Sequence, residues 1–238
     1  MNSVFDKDIR SQVFHEDSAL TGPNERRHKL KDFDEINQIF RRSRRPLIVA
    51  EPKLQSHLAR TFLAEIPQST MIWMFRHFKD AVFSKLLRFS SQIANLIPIL
   101  NNDPHNWRSQ GVSAETRSLV THFYSPNMTR ADAAALLWYV RNMLIFEYDL
   151  HNRPDVILCK YEDFSRDSSS MMRAIYGSIG LSYPGDVVVK HINANNIGIG
   201  KDIKLSSDVG DLCASLLRQL DHCKFSANKR DVQTITGT

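Results

Sequence analysis

Cysteine is scarce. Cys159, Cys213 and Cys223 are the only three in 238 residues. Their spacing fits no zinc or redox motif and their odd number fits no disulfide framework, so they read as reduced thiols of a cytoplasmic protein. Long apolar runs are also missing; none approaches the roughly 18 residues that a membrane-spanning helix needs. The first residues carry no basic stretch followed by an apolar core, so no secretory signal is expected, and the one glycosylation sequon, at Asn127, Met128 and Thr129, is taken as chance. Internal repeats and low-complexity segments are absent too.

What remains is an ordinary globular composition, 42% hydrophobic and 24% charged. A chain of this length folded as one domain buries about 70% of its unfolded surface and needs no disulfide or metal staple. The net charge of +5 favours anionic partners: phosphate, sulfate esters, nucleic acid or a membrane surface. Part of the excess is local, because Arg41, Arg42, Arg44 and Arg45 stand together before Pro46. Such a run is either a solvated charged loop or an anion-facing surface. It lacks the interleaved aromatics of a nucleic-acid module, so no nucleic-acid partner is expected.

Hydrophobic periodicity divides the chain into a polar, partly helical segment over residues 1–45, an α/β domain over 46–225 and a disordered tail over 226–238. Leu30, Phe33, Ile36, Ile39 and Phe40 recur at helical spacing, which predicts a helix over 31–40. Short apolar runs at 46–50, 70–75 and 155–161 read as buried strands. Helices are expected over 55–66, over 80–100 with a break near Pro98, over 131–149 after the N-cap Thr129, over 168–179 with Gly180 as its cap, and from Ser206 or Ser207 onward. A short strand is possible at 187–190. Strands alternating with helices at this spacing define an α/β class with a parallel sheet flanked by helices.

Residues 71–89 carry the chemistry. An apolar strand ends in Arg76, a helix begins near Asp80, and Ser84 stands eight residues after the arginine. In open α/β sheets ligands bind beyond the carboxyl ends of the strands, where a guanidinium grips phosphate in a bidentate manner. The plainer alternative is that Arg76 pairs with Asp80 and closes the turn.

The Arg76, Asp80, Ser84 spacing after an apolar strand resembles the 3′-phosphate motif of sulfotransferases, which use 3′-phosphoadenosine 5′-phosphosulfate (PAPS) as donor. Residues 156–164 resemble that family's later strand, which ends in a Tyr-Glu-Asp run and is followed by a helix and a Gly-Leu pair, here Gly180 and Leu181. Residues 138–142 resemble a segment upstream of that strand in bacterial-type members. The resemblance runs from about residue 46 to about 220 and implies a P-loop NTPase-like sulfotransferase fold. It implies transfer of a sulfuryl group from PAPS, as co-substrate and without a metal, to a hydroxyl or amine on a small-molecule or glycan acceptor. Carried over residue by residue, Arg76 and Ser84 match the 3′-phosphate ligands and Tyr161 matches a tyrosine near the adenine, its alternative being a core tyrosine that locks the strand end. Glu162 and Asp163 are expected to fix the following loop. Residues 198–201 fall where the family closes a basic loop over the nucleotide; the Arg-Lys-Gly triplet of animal cytosolic members is absent, and Lys201 is the basic residue this region offers.

The family's N-terminal strand, Gly-rich phosphate loop and helix have no counterpart before Pro46, where Gly22 is the only glycine. The chain is therefore expected to start beyond that loop, and a non-catalytic, sulfotransferase-like anion-binding or interaction module stands as the alternative to an enzyme. The base that takes the acceptor's proton is expected just after the first apolar run of the domain. Glu51 is best placed, with Lys53 as electrostatic stabiliser and His57 as the second candidate; Glu51 has a surface or capping carboxylate as its alternative.

Overall fold

A computed structural model describes residues 1–15, 18–21, 30–50 and 56–225. In chain order the elements are α1 (Asn2–Phe5), β1 (Ser11–Phe14), α2 (Phe33–Arg41), β2 (Leu47–Ala50), α3 (Ala59–Glu65), β3 (Met71–Phe75), α4 (Phe78–Arg88), α5 (Ile97–Leu100), α6 (Ala114–Phe123), α7 (Arg130–Glu147), β4 (Val156–Lys160), α8 (Tyr161–Arg166), α9 (Ser168–Ser178) and α10 (Ser207–Cys223). The class is α/β. The strands form two parallel pairs, β1 with β2 and β3 with β4, where a single sheet was expected.

Alternation along the strands sorts the core. In β4, Val156 and Leu158 join a cluster built on α4, α7 and α10, while Ile157 and Cys159 join a second cluster with α8, α9 and α1. In β3, Met71, Trp73 and Phe75 face the first cluster and Ile72 the second. Helices thus cover both faces of this pair, which is why β4 is apolar at nearly every position. Val13, Leu47 and Val49 of the other pair also reach the second cluster, and Phe14, Ile48 and Ala50 face a third around Ile36. The helix α7 is the central post. Its apolar residues run all round it, as expected of a buried helix, and it packs against α4 and α10. Thr129 caps it by accepting a hydrogen bond from the Asp132 amide at 3.0 Å, and the buried Asp132 in turn accepts from the amide of Ser206, the N-cap of α10, at 2.9 Å.

Several expectations need correction. The helix after β3 ends at Arg88, and Pro98 does not break it. Pro98 lies in the first turn of α5, where its missing N–H has no intrahelical partner to lose. The possible strand at 187–190 is a 3₁₀ turn, Asp186–Val188, opened by Gly185 at φ +97°. Tyr161 is the first residue of α8, just past the strand. Four elements, α1, β1, α6 and α8, carry no pattern strong enough to announce them: β1 has only Val13 and Phe14 as apolar residues, and α6 is mostly polar. The 226–238 tail lies outside the described residues. No helix among the described residues is long and apolar enough to cross a membrane.

The first residues are tied to α9 by one buried carboxylate. Asp8, 3% exposed, accepts from the Tyr176 hydroxyl at 2.8 Å and from Arg10 Nε at 3.0 Å and Nη2 at 2.8 Å. The Arg10 guanidinium, foremost, and the Tyr176 hydroxyl hold the Asp8 carboxyl down to about 2 against the opposing effect of burial. A carboxyl depressed from 3.8 to about 2 contributes about 2 kcal/mol above its unfolded value, and this is lost as pH falls through the folded one. Asp8→Asn should therefore destabilise the protein at pH 7, with the gap to wild type narrowing between about pH 4 and pH 2. Denaturant unfolding across that range checks this; a gap that stays constant with pH would remove the assignment.

Candidate functional site

The site is set by strand register. Phe75 of β3 pairs with Lys160 of β4, so Arg76 and Tyr161 leave the two strands side by side at their carboxyl ends. Residues 85 positions apart in the chain thereby meet, and the Arg76 guanidinium carbon lies 4.7 Å from the centre of the Tyr161 ring. Ser84 joins them because α4 begins two residues after Arg76. Arg76 Nη1 donates to Ser84 Oγ at 3.1 Å.

Three other interactions hold Arg76. Its Nη2 donates to the Asn196 carbonyl and lies 3.6 Å from Asp80 Oδ2. Its own carbonyl accepts from the Trp138 indole N–H at 3.0 Å, which fixes the strand end onto α7. The ion pair with Asp80 is therefore real, but Asp80 does more than close the turn. Its side chain is 4% exposed, and its two oxygens accept from the amides of Gly198 and Gly200, each at 2.8 Å. The loop around 193–200 is thus seated on the start of α4. Gly200 is required there on steric grounds, since a Cβ would stand 2.1 Å from the Lys79 carbonyl oxygen.

The neighbouring turn is held from α8. Glu162 Oε1 accepts from the His77 amide at 2.9 Å, so Glu162 fixes the turn after β3, in addition to any role toward its own loop. His77 caps α4 by accepting from the Lys79 amide at 3.2 Å, and burial lowers its pKa below the usual histidine value. Asp163 faces outward to Lys224 and Arg166.

Two buried polar atoms here have no hydrogen-bond partner, Arg76 Nε and Glu162 Oε2. An orphan guanidinium donor beside a hydroxyl and an aromatic ring is the equipment for an oxyanion carried on a planar group. The Ser84 hydroxyl donates to the Asp80 carbonyl at 3.0 Å, the usual back-bond of a helical serine, so it reaches a ligand only by rotating. Lys201 is carried on the same glycine loop, with its side chain exposed and its amide donating to Gly198 O at 3.2 Å.

Of the expected donor residues, the structure thus brings Arg76, Ser84 and Tyr161 into contact and places Lys201 one residue past the Asp80 clamp. Glu51 and Lys53 lie outside the described residues. His57 sits in the 3₁₀ turn Ser56–Leu58 ahead of α3, among a different set of contacts. Its carbonyl accepts from the Tyr148 hydroxyl at 3.2 Å, and burial together with the Arg141 charge lowers its pKa to about 4. It is neutral at pH 7, free to accept a proton but weakly basic. Sequence reasoning missed Asn196, His77 and the Trp138 indole as parts of the site; the pair of glycines at 198 and 200 was the one available signal of a tightly seated loop. Among the described residues no group of three His, Cys, Asp or Glu side chains converges as metal ligands would.

Comparison with protein-family models, with curated proteins and with solved structures gave no match.

Gly200→Ala is expected to cost about 1–3 kcal/mol, the usual range for overpacking a close contact, because the new methyl must push the loop off α4. Denaturant unfolding measures it, and an alanine variant as stable as wild type would show that the loop is not seated as described.

Proposed function

We propose that the chain is a sulfotransferase-like protein with a P-loop NTPase-like fold, acting in the cytoplasm on PAPS and on a hydroxyl- or amine-bearing small molecule or glycan. The observation that carries this reading is the convergence of Arg76, Ser84 and Tyr161 at the carboxyl ends of two paired parallel strands. In this reading Arg76 receives the 3′-phosphate through its free Nε and its Nη donors, Ser84 adds a hydroxyl hydrogen bond, Tyr161 lies beside the adenine, and the 198–201 loop with Lys201 closes over the nucleotide. In the transfer itself the acceptor oxygen or nitrogen bonds to sulfur, the bond from sulfur to the bridging phosphate oxygen breaks, and a base takes the acceptor's proton. Adenosine 3′,5′-bisphosphate leaves. Glu51, Lys53 and His57 are the candidates for base and charge stabilisation.

One observation favours the second reading, a non-catalytic anion- or nucleotide-binding module. Arg76 is already engaged by Asp80, Ser84 and Asn196, so it also serves as a structural clasp. Both readings require the nucleotide's 3′-phosphate to be recognised; they part at turnover.

Calorimetric titration with adenosine 3′,5′-bisphosphate tests the shared step, with adenosine 5′-monophosphate as the control. Binding of the bisphosphate should be at least about tenfold tighter than that of the monophosphate. Arg76→Ala should remove most of that difference, as expected for loss of a charged hydrogen-bonding pair worth about 1.5–3 kcal/mol. A correctly folded wild type that binds neither nucleotide, or binds both equally, rules the proposal out.

A further inference from the structure

A second group of cations lies elsewhere in the molecule. Arg141 of α7 and Arg108 of the 101–111 loop both approach the Trp107 indole, each with its guanidinium carbon 4.5 Å from the ring centre. Arg141 is fixed there, since its Nη2 donates to the Trp107 carbonyl at 2.6 Å and its Nη1 to Ser56 Oγ at 3.4 Å. Lys85 of α4 lies within electrostatic reach of the same two arginines, and all three side chains are half-buried. Next to Arg141 stands His57, whose buried Nδ1 has no hydrogen-bond partner.

The charges in this group are all of one sign. Among the described residues, Lys85, Arg108 and Arg141 form no salt bridge. The other cations with short carboxylate contacts, such as Lys160 with Asp221 at 2.6 Å and Arg153 with Asp155 at 2.6 Å, show what pairing looks like in this protein. Burial, then Arg141 and Arg108, bring the Lys85 ammonium down to about 8, and burial, then Arg108, brings Arg141 down to about 10. Cations removed from water and crowded together are costly unless an anion joins them. Two forks of guanidinium donors, an ammonium and an imidazole nitrogen are the chemistry that a tetrahedral oxyanion satisfies.

We propose that Lys85, Arg108 and Arg141, with His57 beside them, form a second oxyanion-binding site that takes a phosphate or sulfate group. It is separate from the Arg76 site. Ser84 and Lys85 are adjacent on α4 and so point about 100° apart around the helix, and Arg76, Ser84, Tyr161 and Lys201 take no part in the second group. Whether or not the Arg76 site takes a nucleotide, what enters between α4, α7 and the Trp107 loop is a molecule carrying a phosphate or sulfate group, or the free anion.

The test is thermal unfolding of the full chain in low-millimolar sodium sulfate, with sodium chloride adjusted to hold ionic strength constant; inorganic phosphate serves as the parallel probe. Sulfate should raise the melting temperature saturably. Lys85→Met and Arg108→Ala should each weaken the apparent sulfate affinity at least tenfold. Lys85→Met should also melt higher than wild type in chloride alone, because it removes a crowded charge with no counter-ion; a lysine with only a structural role would not give that combination. The site is disproved if wild type shows no saturable sulfate effect, or if the effect persists undiminished in both variants. Repeating the titration in saturating adenosine 3′,5′-bisphosphate separates the sources. Unchanged sulfate affinity supports two sites, and direct competition would merge them and overturn the separation. If the nucleotide does not bind at all, the sulfate titration still reads this site on its own.

Discussion

The in-register pairing of β3 with β4 decides what stands at the functional edge of this protein. Parallel strands buried on both faces fix their own alignment, because a slip of one residue would turn Ile157 and Cys159 toward the helices that now receive Val156 and Leu158. With that alignment fixed, Arg76 and Tyr161 emerge together. The core on both sides of the pair therefore holds the guanidinium and the phenol in contact, as firmly as it holds the fold.

Asp80 extends this constraint to a loop more than a hundred residues away in sequence. A buried carboxylate must be matched by donors, and here the amides of Gly198 and Gly200 supply them, with Arg76 close enough to balance the charge. Removing any one of these partners leaves the others with an uncompensated polar group, so the arginine, the aspartate and the glycine loop behave as a unit. The indole of Trp138 ties the same turn to α7, the most deeply buried helix. The surrounding charges follow different rules at the two cationic groups. Arg76 is balanced by a near carboxylate, whereas Lys85, Arg108 and Arg141 are balanced by none among the described residues, and an indole ring only softens that imbalance.

Much of this was legible in the chain. The apolar runs that become β2, β3 and β4 are continuous because residues on both faces pack into apolar clusters, β4 buried and β2 and β3 partly so, and α7 announces itself by apolar residues on every side and a Thr129 cap. Arg76 and Ser84 could be paired in advance because they lie on one short strand–turn–helix unit. What stayed hidden involves partners distant in sequence or patterns too short to register. The strand β1 has four residues and is half polar, and only its pairing with Leu47–Ala50 makes it a strand. Pro98 suggests a helix break by its chemistry, yet the helix has already ended at Arg88, with Phe89 extended, and the proline stands in the first turn of another.

The sequence by itself determined the class of the fold, the places where strands turn into helices, and the residue types at the end of β3, because these follow from local periodicity and from the side chains' own chemistry. Only the tertiary structure decided that Tyr161 meets Arg76, that Gly200 must be a glycine, and that Lys85, Arg108 and Arg141 are crowded together. Each of these depends on distances between segments far apart in the chain, set by register and packing, and none of the three can be read from spacing along one strand or helix.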